Sequence, residues 1–159
     1  MNGRPVREPA ILGIIAYPVR KHLLDEARWD ALIRTLAEDR PALAEALDRG
    51  DVVVLDFTAE WCLNCKSLEA AFLSRAPVKP MLLQAGVVPM VADVTSSGAP
   101  GWDKLRELGQ TGIPLLAVYG PGTDEPWLAN NYTGGTVVEA IERARGTGLA
   151  GQVPEPASP

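Results

Sequence analysis

The chain has 159 residues, 47% apolar and 22% charged, the balance of a globular domain long enough to build one core. Its net charge of −5, with no local cluster of Lys and Arg to offset it, argues against nucleic acid as a partner. The longest early apolar run, residues 10–17, falls far short of the roughly 20 residues a membrane-spanning helix needs.

That run follows Arg4 and Arg7 and is at the short limit for the apolar region of a signal peptide. Ala16-Tyr17-Pro18 is a poor cleavage site, so a strand or extended arm lying on the domain is the preferred reading. Residues 1–25, with Pro5, Pro9 and Pro18, read as an irregular lead-in. Over residues 27–47 apolar side chains recur at helical steps: Trp29, Leu32, Ile33 and Leu36, then Leu43, Ala46 and Leu47. Pro41 splits this stretch into two helices with Asp39-Arg40 at the break, and Arg49-Gly50-Asp51 stops the second.

Residues 52–57 form a continuous apolar run rich in β-branched side chains, as in a central parallel strand covered on both faces. A helix is predicted over residues 62–75 with Leu68, Ala71 and Phe72 as its core stripe, then a shorter one over 78–84 after Pro77. Residues 87–94 read as a second strand, placed at a sheet edge because Pro89 removes a ladder donor. A loop over 95–101 leads to a short helix at 102–108. A strand at 114–119, the turn Gly120-Pro121-Gly122, and a strand at 127–131 pairing back come next. Residues 136–145 make a closing amphipathic helix on Val137, Ile141 and Ala144, and the Gly- and Pro-rich residues 146–159 read as a disordered tail. Strands interleaved with helices make a three-layer α/β domain, here residues 50–145, preceded by an arm and helical extension over 1–49.

The chemistry concentrates at Cys62-Leu63-Asn64-Cys65, which holds the only two cysteines and sits where the strand hands over to a helix. A thiolate attacks disulfides, so such a site must stabilise negative charge, and the first turn of a helix does so through unpaired N–H groups and its dipole. Cys62 is the candidate nucleophile. Cys65, one turn further in, is the candidate resolving thiol, and Trp61 a lid or contact surface. Val52, Val54 and Asp56 share one strand face, which carries Asp56 into the interior as a candidate proton acceptor for Cys65. Glu69 lies seven residues after Cys62 and four after Cys65, on the same helix face, where its charge would oppose the dipole. The plainer readings are a solvated strand end for Asp56 and a surface glutamate for Glu69.

The segment Asp56-Phe57-Thr58-Ala59-Glu60-Trp61-Cys62-Leu63-Asn64-Cys65-Lys66 resembles the active-site segment of the thioredoxin superfamily. More narrowly, it is similar to the C-terminal periplasmic domain of DsbD-type transmembrane thiol:disulfide interchange proteins, in which acidic positions matching Asp56 and Glu69 tune the cysteines. Ala92-Asp93-Val94-Thr95 resembles that branch's strand end, and Gly112-Ile113-Pro114 resembles the superfamily's Gly-hydrophobic-Pro, whose proline is cis and lies against the CxxC. The resemblance implies a thioredoxin-like three-layer α/β/α sandwich with a central mixed sheet of about four strands. It also implies that Trp61, Ile113 and Pro114 contact the substrate chain.

The activity so implied is reduction of disulfides in partner proteins through transient mixed disulfides, with no cofactor beyond the Cys62–Cys65 pair. Electrons would come from a membrane-embedded partner domain, and the expected setting is the periplasm, as part of or associated with an inner-membrane protein, with the domain a monomer. A free-standing periplasmic thioredoxin-like protein, for example one serving cytochrome c maturation, and a redox-inactive interaction module are the alternatives. Metal binding is disfavoured: zinc wants about four ligands, and the sequence offers no third cysteine and only the distant His22. Glu60 also stands where a copper-chaperone motif would place methionine. Trp29, Trp102 and Trp127 read as packing residues, and His22 as part of a solvated face.

Overall fold

The computed structural model describes residues 40–146. The predicted arm over 1–25, the helix beginning at residue 27 with Trp29, His22, and the tail after Gly146 lie outside the described residues. Within them the order is α1 (Arg40–Asp48), β1 (Val52–Thr58), α2 (Leu63–Leu68) running into a π-helical turn (Glu69–Leu73), and α3 (Val78–Leu82). Then come β2 (Val87–Asp93), α4 (Gly101–Glu107), β3 (Leu115–Tyr119), β4 (Trp127–Ala129) and α5 (Gly134–Ala144).

The strands form one mixed sheet in the order β2-β1-β3-β4. β1 runs parallel to β2, from Val52 opposite Val87 to Thr58 opposite Asp93, and antiparallel to β3, from Val53 opposite Tyr119 to Phe57 opposite Leu115. A parallel pair needs a crossover, and α2, the π turn and α3 supply it. All residues of β1 are buried, which is why its sequence is a continuous apolar run rather than an alternation. β2 lies at the edge of the sheet, where Pro89, with no N–H to offer a further strand, is tolerated.

Each face of the sheet has its own core. On one, Val52, Val54, Leu116 and Val118 pack beneath Leu73, Val78, Leu82 and the inner stripe of α5, Val137, Ala140, Ile141 and Ala144. On the other, Val53, Leu55, Phe57, Leu115 and Ala117 pack against Ala46 of α1, Leu105 of α4 and both cysteines. The result is the expected α/β/α sandwich.

Two local features depart from the sequence reading. The predicted stripe Leu68, Ala71, Phe72 assumes an unbroken α-helix, but Ser74 N–H donates to the Glu69 carbonyl, an i→i+5 bond that widens one turn. One extra residue in a turn rotates the rest of the segment by about 100°. Leu73 therefore takes the fully buried place, Phe72 is half-buried, and Ala71 faces outward. The closing helix also starts earlier than predicted, because Thr133 caps it: Thr133 Oγ1 accepts from Thr136 N–H, and Thr133 N–H donates to Thr136 Oγ1 at 3.0 Å.

Between β3 and β4 the chain turns directly over the C-terminal end of α5, with Gly122 N–H donating to the Ala144 carbonyl at 2.8 Å. A Cβ on Gly122 would overlap the backbone of Arg143 and Gly146, so this approach requires glycine. Gly122→Ala should cost about 1–3 kcal/mol by overpacking. Leu116→Ala, at a fully buried position, should cost about 2–5 kcal/mol by opening a cavity. Denaturant unfolding checks both, and a Gly122→Ala midpoint equal to that of the parent would refute the need for glycine at this approach.

Candidate active site

β1 ends at Thr58, and the next four residues bring the chain round to the start of α2. Cys62 is the N-cap of that helix, with extended backbone, and is joined to Cys65 as a disulfide. Its Sγ accepts from the Cys65 N–H at 3.2 Å, one of the orphan donors of the first turn. Cys65 Sγ lies 3.9 Å from the carbonyl oxygen of Phe57, so the second sulfur is held against β1. Exposure separates the two: Cys62 is 7% exposed and Cys65 1%, while the flanking Trp61 and Leu63 are 60% and 79% exposed.

The loop carrying Trp61 is tied to the end of β2. Trp61 Nε1–H donates to the Thr95 carbonyl at 3.1 Å, Glu60 N–H donates to Thr95 Oγ1 at 2.9 Å, and Thr95 N–H donates to Asp93 Oδ1 at 2.7 Å. Ile113 and Pro114 are joined by a cis peptide bond. Ile113, half-buried, packs against the core cluster that contains both cysteines, and the Pro114 carbonyl accepts from Asn130 Nδ2 at 2.9 Å. Cys62, Cys65, Trp61 and Ile113 are thus gathered at one end of the sheet.

Asp56 and Glu69 are assembled on the other side of β1. Both line a cleft of about 160 Å³ whose polar end also holds Thr58 and Lys66, and whose apolar wall includes Pro89 and Val91 of the edge strand. Thr58 Oγ1–H donates to Glu69 Oε1 at 2.5 Å, and Lys66 Nζ donates to Thr58 Oγ1 at 3.2 Å and to Glu69 Oε2 at 3.4 Å. Asp56 is buried among these groups, and its pKa is pushed up to about 8, first by loss of hydration, then by the negative charge of Glu69, against a smaller opposing pull from Lys66. Tyr132, buried and edge-on to Phe72 with ring centroids 6.2 Å apart, faces the same carboxylates. Burial and then the charges of Asp56 and Glu69 drive its phenol well above the ordinary tyrosine range.

Thr58, Lys66 and Thr95 enter the sequence reading only within the motifs that carry the resemblance, with no role of their own, and Tyr132 does not enter it. Thr58 could have been found, since it continues the period-two face of Val52, Val54 and Asp56. Lys66, three residues before Glu69, carries the helical spacing of an ion pair. Thr95 is marked by the resemblance of Ala92-Asp93-Val94-Thr95, though not its bonds to Glu60 and Trp61, and Tyr132 carries no signal, because only the closing of the sheet brings it in. Among the described residues no group of three or more His, Cys, Asp or Glu side chains is placed to hold a metal ion, and no helix is long and apolar enough to cross a membrane.

The raised pKa of Asp56 makes stability depend on pH with a definite sign. The fold prefers the protonated carboxyl, so this preference is fully present below the unfolded value of about 4 and is lost as pH rises through about 8. Asp56→Asn removes that dependence. The melting temperature of the variant relative to the parent, both oxidised, should rise from pH 5 to pH 8, between the two values above, and level off by pH 9. A flat difference across that range would place Asp56 in solvent.

The chain is similar to known proteins in sequence and fold. A family model described as thioredoxin-like matches residues 36–121. The thiol:disulfide interchange protein DsbD of Vibrio cholerae is 31% identical over 155 residues, 91% of this chain and 23% of that protein, and DsbD of Escherichia coli K12 is 35% identical over 95 residues, 59% of this chain and 16% of that protein. The chain therefore spans less than a quarter of the length of these curated relatives. Among solved structures, the oxidised C-terminal domain of DsbD from Neisseria meningitidis superposes with a TM-score of 0.50 at 29% identity, covering 67% of this chain and 96% of that one. A thioredoxin from Thermus thermophilus shares the fold at a TM-score of 0.52 and 21% identity, covering 69% of this chain and 85% of that one. With a CxxC disulfide at the helix start and a mixed sheet behind it, this chain belongs to the thioredoxin-like family and, within it, is similar to the C-terminal domain of DsbD.

Proposed function

We propose that this protein is a thiol–disulfide oxidoreductase that reduces disulfides in partner proteins, with Cys62 as nucleophile and Cys65 as resolving thiol. The observation that carries the reading is the unequal setting of the pair: Cys65 is sealed against β1, while Cys62 lies between the exposed Trp61 and Leu63. In the reduced protein, a donor placed as the Cys65 N–H is favours the Cys62 thiolate. That thiolate attacks one sulfur of the partner's disulfide, forming a mixed S–S bond and releasing the other sulfur as a thiolate, which takes up a proton from water. Cys65 then passes its thiol proton, through water, to Asp56, and its sulfur displaces the partner's remaining sulfur from Cys62; that sulfur leaves as a thiolate and takes up a proton from water. Two electrons have moved to the partner, which leaves as a dithiol, and the Cys62–Cys65 disulfide is formed.

Trp61, Ile113 and Pro114 provide the surface on which the partner chain lies, and Glu69 adjusts the charge beside Asp56. The exchange uses no cofactor beyond the cysteine pair, and the unit that performs it is residues 50–145. To act again, the pair must itself be reduced. Similarity to the C-terminal domain of DsbD supports a relay in which a membrane-embedded domain supplies the electrons and periplasmic thiol proteins receive them. The domain would work as a monomer, as part of or beside an inner-membrane protein.

Titration against glutathione should give a reversible intramolecular disulfide with a potential more negative than about −200 mV, the reducing side of the scale for such proteins. Inability to form that disulfide reversibly would leave only a redox-inactive interaction module. Reduced Cys65→Ser should accumulate a mixed disulfide with a disulfide-bonded protein such as insulin, detectable on a non-reducing gel, and Cys62→Ser should not. Asp56→Asn should slow insulin reduction at neutral pH by about tenfold or more. It should also abolish the rise in rate centred near pH 8.

A further inference from the structure

The cleft across β1 from the cysteines holds two carboxylates and one cation. Among the described residues that line it, Asp56 and Glu69 are the acids and Lys66 the only base. Thr58 adds a hydroxyl from β1, and Ser74 another beyond the π turn. β2 and α3 contribute only Pro89, Met90, Val91 and Leu82, with no charge; outside the lining, the phenol of Tyr132, from the segment before α5, interacts electrostatically with both carboxylates. Two carboxylates sharing a poorly hydrated site resist ionising together, and a cation held among them eases that resistance.

Lys66 is held there by geometry rather than by chance of rotamer. A surface lysine three residues from a glutamate ordinarily contributes little, because its stem is free and water screens the pair. Here the ammonium is bonded both to Thr58 Oγ1 and to Glu69 Oε2, and Thr58 bonds Glu69 in turn, closing a three-membered ring. Thr58 is anchored in the fully buried central strand, two residues beyond Asp56 on the same face. The ring therefore fixes a long, half-exposed side chain over the mouth of the cleft.

We propose that Lys66 is a positioning residue for the exchange reaction: pinned by Thr58 and Glu69, its ammonium supplies the positive charge that lets the buried Asp56 carboxylate form and accept the proton of Cys65. Thr58 serves the same step by holding Lys66. The inference rests on the function proposed above and adds to it the group that makes Asp56 usable as a base. Glu69 and Lys66 then act on Asp56 in opposite senses, so that the charge balance of the ring, and not Glu69 alone, sets the pH at which the second half of the exchange runs.

The opposed signs provide the test. With the full chain, reduced, and insulin as the disulfide substrate, the rate is followed against pH. Lys66→Met should move the ascending limb to higher pH and slow the reaction on its acid side by about three- to tenfold. Lys66→Arg should restore the parental profile to within about twofold. Glu69→Gln should move the limb the other way, the double variant Lys66→Met/Glu69→Gln should fall between the single ones, and Thr58→Val should follow Lys66→Met by a smaller step. A Lys66→Met profile that superimposes on the parent, or a Glu69→Gln shift in the same direction as Lys66→Met, overturns the proposal. Should Thr58→Val not fold, Lys66→Met, altered at a half-exposed side chain, still decides the matter. If the parent itself does not reduce insulin, the exchange reading fails along with this one; if the parent reduces insulin and the limb stays fixed, only the role of Lys66 fails.

Discussion

Asp56 is buried in the middle strand of the sheet, where a carboxylate loses its hydration without gaining a cation of its own strand or its neighbours β2 and β3. Removing such a group from water costs far more than any one apolar contact returns, unless it takes a proton or meets opposite charge. Much of the site results from that constraint. The helix after β1 has to bring Lys66 and Glu69 over the same cleft, and Thr58 has to hold them, while the buried phenol of Tyr132 feels the charge of the same carboxylates. A group kept near the middle of its titration by these opposed effects can take and release a proton near neutral pH.

β1 divides this work between its faces. Phe57 points into the core that holds both cysteines and offers its carbonyl to Cys65, while Asp56 and Thr58 point to the opposite side. The backbone contact to Cys65 and the carboxylate thus come from adjacent residues of a single strand, Phe57 and Asp56, and α2 spans the two. The π turn belongs to the same arrangement. Glu69 is its first residue, bonded to Thr58, and the added residue lets Leu73 reach the core four positions later without pulling Glu69 away from the cleft.

The exposed end of the site has a different character. Trp61 and Leu63 present large apolar surfaces to solvent on either side of Cys62, an arrangement that has no value to the isolated fold. Trp61 is nonetheless fixed, through its indole N–H, to the loop after β2. An apolar rim about a sulfur and a polar, charged cleft across the strand thus occupy different sides of the site.

Much of this could be read from residue order. The continuous apolar run of β1 required a strand covered on both faces, Pro89 required an edge, and the alternation Val52, Val54, Asp56 placed the carboxylate inside; each is a local rule about backbone donors or side-chain period. The position of Cys62 at the helix start was equally local. Residue order left open the pairing of groups distant along the chain. An α-helical period assigns Ala71 to the core, and the widened turn that excludes it depends on how Glu69 and Leu73 meet β1 and the sheet. Tyr132 reaches Asp56, and Thr95 reaches Trp61, only after the sheet closes and the loop after β2 folds over. The strand, the helix start and the two cysteines between them were thus set by residue order, because they depend on neighbours along the chain. The charge balance around Asp56 came only with tertiary folding, because electrostatic energy in a buried cleft depends on distance and hydration and not on sequence separation.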